Sequence, residues 1–353
     1  MPSDSREATA PGDAPTLRQI RHEFPGFEIW REVAVDRTRF IARAQNLGTS
    51  PHTVITGDLG ELRDTLAGQV STAGLPGEGE DRPPNIARMY SYLTAGKDHM
   101  AADRQAADLL LADYPEIAHI ARANREFVTG AVARIAAQDI TGFIDIGAGL
   151  PATLNVHEVV RHVNPSAVTC YADTDEMVLA HARALLAAGP RVTVAQGDLR
   201  HPAAILKHPA LATAIDLTRP VCLVLASVLH FLEPGQADTA VATLKDAVAP
   251  GSFLVISAGT STGTDPAVVA RAREAYAHTS VVTGRAEGDI LGWFDGWHLL
   301  PPGLPDVRDW RTDGLPRLPR RRPEPRAVRF LAGIGRKPAP VDMQPARRRG
   351  GTP

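Results

Sequence analysis

Cysteine is scarce in this chain, with two residues, Cys170 and Cys222, among 353. Both lie inside apolar runs that read as buried strands, which excludes a disulfide framework and fits a reducing cytoplasm. Long hydrophobic runs are missing too. None reaches the roughly 20 residues that a membrane-spanning helix needs, and the opening MPSDSREATAPGDAP has no apolar core of the kind that marks a signal peptide. An excess of one charge is also absent. The 38 Lys and Arg stand against 40 Asp and Glu, a formal net charge of -2, so nothing in the balance calls for nucleic acid or an anionic membrane as partner. The apolar share of 44% is ordinary for a globular protein. The expectation is a soluble, cytoplasmic protein.

The length argues for more than one domain. Residues 1–14 are polar and rich in Pro, Gly and Asp, and are expected to be disordered. Residues 15–67 make a small α+β pattern: a short helix around Leu17–Phe24, strand runs in PGFEIWREVAV, RTRFIARAQ and HTVITG, then a helix in DLGELRDTLAG with Asp58 as its cap. The Gly/Pro/Glu stretch 68–84 reads as a linker. Residues 85–138 are helical and form a cap. From 139 to 338, apolar strands (GFIDIG, AVTCYAD, VTVAQGD, PVCLVLAS, SFLVISAG) alternate with helices, the signature of a parallel sheet covered on both faces. GWHLLPPGL and AVRFLAGIGRK read as a closing antiparallel pair. The tail 339–353 is expected to be disordered.

The stretch GFIDIGAGLPA, residues 142–152, carries the chemistry. A glycine-rich turn between a strand and a helix lets backbone approach a ligand. The dinucleotide fingerprint G-x-G-x-x-G fails at its third glycine, and no G-K-[ST] follows for a phosphate loop. The second strand ends at Asp173 and the third at Asp198. With Asp145, Gly147 and Gly149 they would converge at the carboxyl ends of the strands. Three aspartates repel a pyrophosphate but suit a cationic centre joined to adenosine, which is S-adenosylmethionine. Taken singly, each aspartate reads as a turn-former or helix cap.

Beyond these residues, the chain resembles the class I S-adenosylmethionine-dependent methyltransferases. It is more closely similar to an actinobacterial S-adenosyl methyltransferase family first known as a domain of unknown function. The match runs through NIARMYSYLTAGKDHMAADRQAA (85–107), ARANREFV (121–128), FIDIGAGLPATLNVHEV (143–159), YADTDEMVLAHARALL (171–186), GDLRHPAAIL (197–206), LASVLHFL (225–232), APGSFLVISAG (249–259) and AGIGRKP (332–338). That family usually has paired glycines before Lys-Asp and an Asn after them, where this chain has Ala95-Gly96-Lys97-Asp98-His99. The resemblance, which covers about residues 84–338, implies a Rossmann-like α/β fold with a mostly parallel seven-stranded sheet, helices on both faces, and a helical cap. The small α+β domain of residues 15–67 lies ahead of it and has no implied role.

It also implies site roles. Gly147 and Gly149 give backbone approach, and Asp145 organises the turn near the methionine end. Asp173 accepts from the ribose hydroxyls, with Thr174 beside it. Asp198 accepts from the adenine amine, with Leu199 against the ring, and Ser227 completes the set. Because Pro151 offers no N–H, a cation from 85–128 is expected on the cofactor carboxylate, Arg122 or Lys97 first.

His230 in SVLHF is the candidate general base, against a reading as a structural histidine. His157 and His162 stand five apart and diverge by roughly 140° around a helix, so no metal is expected. The basic run LPRLPRRRPEPR (315–326) reads as a solvated connector. The expected partner is a small-molecule methyl acceptor. A non-catalytic S-adenosylmethionine-binding regulatory or interaction protein is the alternative, and a nicotinamide-dependent dehydrogenase the weaker third.

Overall fold

The computed structural model describes residues 16–34, 37–44, 53–70, 83–152, 154–186, 189, 191–277, 279–311 and 326–339. The stretches 1–14 and 340–353, expected to be disordered, lie outside the described residues. So do 71–82 of the linker and all of the basic run except Arg326. The chain divides into two compact units, Met1–Pro83 and Pro84–Pro353.

In the first unit, α1 (Leu17–Glu23) starts where Thr16 and Gln19 cap each other: Gln19 N–H donates to Thr16 Oγ1 at 3.3 Å and Thr16 N–H to Gln19 Oε1 at 2.7 Å. Strands β1 (Phe27–Ala34), β2 (Arg37–Ala44) and β3 (Thr53–Thr56) form an antiparallel sheet in that order. Helix α2 (Leu59–Val70) is capped by Asp58, which accepts from Gly60 and Glu61 N–H at 2.7 and 3.1 Å. It runs three residues past Ala67, because a lone glycine at position 68 weakens a helix by only about 1 kcal/mol and does not stop it. Ile20, Phe24, Ile29, Leu62 and Leu66 form the core between helices and sheet.

In the second unit, α3 (Ile86–Leu93), α4 (Ala101–Asp113) and α5 (Glu116–Ala136) form the cap. A buried Arg88–Asp103 ion pair at 2.7 Å joins α3 to α4, and Asp103 also accepts from Asn85 and Met100 N–H. The core then alternates: β4 (Gly142–Ile146), α6 (Val156–Val163), β5 (Val168–Asp173), α7 (Glu176–Leu185), β6 (Val192–Gln196), α8 (Pro202–Lys207), α9 (Pro209–Ala214), β7 (Val221–Ala226), α10 (Pro234–Ala247) and β8 (Phe253–Thr260). Helices α11 (Pro266–Tyr276) and α12 (Glu287–Gly292) precede β9 (His298–Leu299) and β10 (Arg329–Arg336).

The described strands make a seven-stranded sheet in the order β6-β5-β4-β7-β8-β10-β9. It is parallel from β6 to β8 and antiparallel at β10 and β9. The Rossmann-like fold expected from the sequence is therefore the observed one.

Strand β4 is buried along its whole length because helices cover both faces. Phe143 is fully buried there, and its truncation to Ala is expected to cost about 3–5 kcal/mol. Cys170 and Cys222 are free and buried, and burial pushes the Cys170 thiol up to about 11. No described helix is long and apolar enough to cross a membrane. The strand order reverses at β4, with β5 on one side and β7 on the other. This places a crevice outside the carboxyl ends of those strands.

Candidate functional site

A cavity of about 650 Å³ opens at this crevice. At its floor the chain turns sharply after β4. Gly147 and Gly149 adopt φ of +72° and +64°, the left-handed region that favours glycine. A Cβ on Gly147 would stand 2.3 Å from Val228 Cγ1, whereas one on Gly149 would meet open space. The turn is tied to the neighbouring strand end. Gly147 N–H donates to Ala172 O at 2.8 Å, and Gly149 N–H donates to Asp173 Oδ2 at 3.0 Å. Asp173 Oδ1 accepts from Asp175 N–H at 3.0 Å, and Asp175 caps α7 through Met177 and Val178 N–H. Asn85, at the start of the cap, donates its side-chain N–H to Asp175 Oδ2.

The three strand-end acids stand in different electrostatic states. Burial lifts Asp145 to about 7, opposed by the charge of Arg125 and reinforced by Asp173. No described group donates a hydrogen bond to its carboxylate. Asp173 is also raised by burial, with the Asp175 and Gly149 N–H groups working against the rise. Asp198 is lowered, chiefly by the hydrogen bonds from Arg200, whose guanidinium lies 2.6 Å away.

Asp145, Gly147, Gly149, Asp173, Thr174, Asp198, Leu199, Ser227 and His230 all line the cavity, so the fold brings these sequence candidates together. Ser227 adopts φ of +62°, an uncommon conformation for a residue with a Cβ, of the kind held at functional sites.

Two cations do not join them. Lys97 and Arg122 are exposed and outside the lining, and the cation of α5 that lines the cavity is Arg125. The reason is helical phase. Ile117, Ile120, Ala121, Asn124, Arg125 and Val128 line the cavity at the spacing of one helix face, and Arg122 is rotated about 100° from Ala121. Arg125 Nη2 donates to Leu154 O at 2.8 Å, just past the glycine turn.

His230 also departs from expectation. Burial and the nearby Arg285 push its pKa down to about 4, so near neutral pH the ring is uncharged and a weak base. Its Nδ1 is covered without a hydrogen-bond partner, the ring lines the cavity, and no described group bonds to Nε2. His157 is buried against the Tyr171 hydroxyl at 3.0 Å while His162 is exposed. Among the described residues no group of three or more His, Cys, Asp and Glu is placed to hold a metal.

The sequence reading missed the ring-bearing wall formed by Phe231, Tyr276 and Phe330. Helix α11 carries one readable signal toward it, the Asp265-Pro266 start, where Asp265 caps through Ala267 N–H at 2.9 Å.

The room, the glycine turn and the unpartnered Asp145 carboxylate fit a ligand with a cationic centre and an adenosine. Comparison with known proteins agrees. The family model described as S-adenosyl methyltransferase matches residues 79–338. The crystal structure of a Thermobifida fusca protein assigned as a methyltransferase is 37% identical, covers 76% of this chain and 100% of its own, and superposes with a TM-score of 0.68. A DUF574-family protein from Streptomyces avermitilis is 32% identical over 72% of this chain and 98% of its own, with a TM-score of 0.66. No curated protein matches. The chain belongs to the S-adenosyl methyltransferase family and is a methyltransferase that uses S-adenosylmethionine.

Proposed function

We propose that this enzyme methylates a small molecule held between the strand ends and the helical cap. The observation that carries this is the continuation of the cavity past the strand-end acids. Residues of all three cap helices, such as Tyr90, Leu110 and Asn124, line it alongside residues of α11. A volume of about 650 Å³ is in the range of small-molecule sites, and a cap over it suits a ligand that enters whole.

When bound, S-adenosylmethionine supplies a methyl group already activated by its sulfonium. The chain's own task is then alignment and exclusion of water. Gly147 and Gly149 bring backbone close to the methionine portion. Asp145 faces its cationic end, and Arg125 replaces Arg122 and Lys97 as the partner of its carboxylate. Asp173 accepts from the ribose hydroxyls beside Thr174. Asp198, shared with Arg200, accepts from the adenine amine, with Leu199 against the ring and Ser227 at the end of β7. His230 turns Nε2 toward the acceptor. An imidazole with so low a pKa holds a proton only briefly, so its contribution is a hydrogen bond that orients the acceptor. The two buried free thiols support a reducing, cytoplasmic setting.

Cell extract incubated with the enzyme and methyl-labelled cofactor tests the acceptor class. Label is expected in the low-molecular-weight fraction. Recovery of the label in protein or nucleic acid instead would overturn the reading.

A further inference from the structure

Away from the glycine turn the cavity wall carries a group of rings. His230 and Phe231 have centroids 4.3 Å apart, His230 and Phe330 5.6 Å, and Phe231 and Tyr276 5.2 Å. The four residues come from three places, the short turn after β7, the end of α11 and the start of β10, yet all line the cavity. A continuous run of ring faces and edges is a surface for another ring, because offset and edge-on contacts satisfy both quadrupoles.

Charge is handled differently at this end. Asp145, Asp173, Asp175, Asp198 and Arg200 belong to the ends of β4, β5 and β6 and the turns that follow them, and Arg125 of α5 donates to Leu154 O just past the glycine turn. Among the other charged groups of the lining, Arg329 is committed to Glu287 at 3.0 Å and to Thr262 O at 2.9 Å, and Glu233 is exposed at the start of α10. Behind His230, buried Arg285 donates to Leu232 O at 3.0 Å. Its positive charge opposes a cation against His230, and its unpartnered Nε is buried outside the lining, so among the described residues at this end of the lining no uncommitted cation faces an anion. Either ion would leave water without a partner, which is costly.

Two polar groups at the rings are not served by the protein. Burial lifts the Tyr276 hydroxyl to about 12, so it stays protonated, and no described group bonds to it. The His230 ring also lines the cavity, and no described group bonds to its Nε2. A ligand hydroxyl, which both donates and accepts, satisfies the two together.

On the reading that the strand ends take the cofactor, we propose that the methyl acceptor is an uncharged aromatic molecule carrying a hydroxyl group. Its ring lies against Phe231, Tyr276 and Phe330, and its hydroxyl bonds to His230 and Tyr276.

The full-length protein saturated with S-adenosylhomocysteine is titrated by calorimetry with naphthol, naphthoate and naphthylmethylammonium. Naphthol is expected to bind, with each ion at least tenfold weaker. Phe330→Ala and Tyr276→Phe should each weaken naphthol roughly two- to tenfold, the scale of one ring contact or one hydrogen bond. Neither should change the affinity for S-adenosylhomocysteine, which also reports that the variant has folded. Tighter binding of either ion, no binding of naphthol, or indifference to both substitutions overturns the proposal while leaving the cofactor assignment standing. Failure of S-adenosylhomocysteine to bind the unaltered protein removes the cofactor assignment and this inference with it.

Discussion

Replacing Asp145 with Asn removes a carboxylate that the fold holds at a cost. Its pKa stands near 7 against 3.8 for an ordinary aspartate, because burial outweighs the help from Arg125. The folded state therefore binds this proton more tightly than the unfolded chain does. The sign follows from linkage: the contribution to stability is fully present below pH 3.8, is lost as pH rises toward 7, and stays lost above it. At pH 8 the ionised group costs about 4 kcal/mol relative to water. Asn carries no charge at any pH, though its amide also loses water. Asp145→Asn is thus expected to be more stable at pH 8 by about 2–4 kcal/mol, with the gain fading toward pH 4.

Binding should move the opposite way. A cationic cofactor restores the value of the ionised form, so the variant should bind S-adenosylmethionine about 10- to 100-fold more weakly at pH 8, the worth of a charged hydrogen bond. In the unaltered protein the affinity should climb from pH 5 to pH 7 and level off above it, with a proton released on binding below pH 7. Calorimetry in two buffers of different ionisation enthalpy reads that proton, and urea melts at pH 5 and 8 read the stability. Equal affinities for the two proteins, flat across pH, would refute the placement of Asp145 against the cation. A variant less stable at pH 8 would refute the burial cost itself.

Three further outcomes follow from the same geometry. Asp173→Ala should weaken the cofactor by about 1.5–3 kcal/mol, whereas Asp175→Ala, which removes the cap of α7, should lower the melting temperature more than the affinity; calorimetry and melts on both variants separate the two. Arg125→Ala should weaken S-adenosylhomocysteine roughly 10- to 100-fold while Arg122→Ala leaves it unchanged, and the reverse order would restore the phase-shifted assignment. Gly147→Ala meets both a left-handed φ, worth about 1–2 kcal/mol, and the Val228 methyl. It should therefore destabilise more than Gly149→Ala, which meets only the former, and equal melting temperatures would contradict this.

How much of this could be read in advance differs by the range of the interaction. The strands were legible because continuous apolar runs such as VCLVLA have no polar face to offer solvent, so only a sheet covered on both sides accommodates them. Asp58 was legible as a cap because the cap and its N–H partners are neighbours in sequence. Arg125 was within reach: the apolar positions of α5 already fix which face turns inward, and Arg122 is off it. The ring wall was not. Phe231, Tyr276 and Phe330 lie on three elements brought together by the order of β7, β8 and β10, and no local pattern at any one of them reports the other two. The pKa of His230 was equally hidden, since Arg285 lies 55 residues further along the numbering and the desolvation comes from the fold.

The three strand-end aspartates show why residue type alone under-determines a role. Read from sequence they are equivalent, one acid at the end of each of three parallel strands. Their surroundings separate them along the crevice. Asp145 is buried at the cavity floor and no described group donates to it, so it gains most from a cation and least from a neutral group. Asp173 already accepts two backbone N–H groups, which holds its carboxylate in a fixed orientation with lone pairs left for hydroxyls. Asp198 is paired with Arg200 near the surface, so its charge is screened and a neutral amine suffices as partner. A cation, a diol and an amine in that order describe S-adenosylmethionine laid from the end of β4 to the end of β6. An orientation with adenine at β4 would put a neutral amine against the acid with most need of charge. On the proposed assignment, electrostatics orients the cofactor with its sulfonium end toward β4 and the ring-bearing part of the cavity.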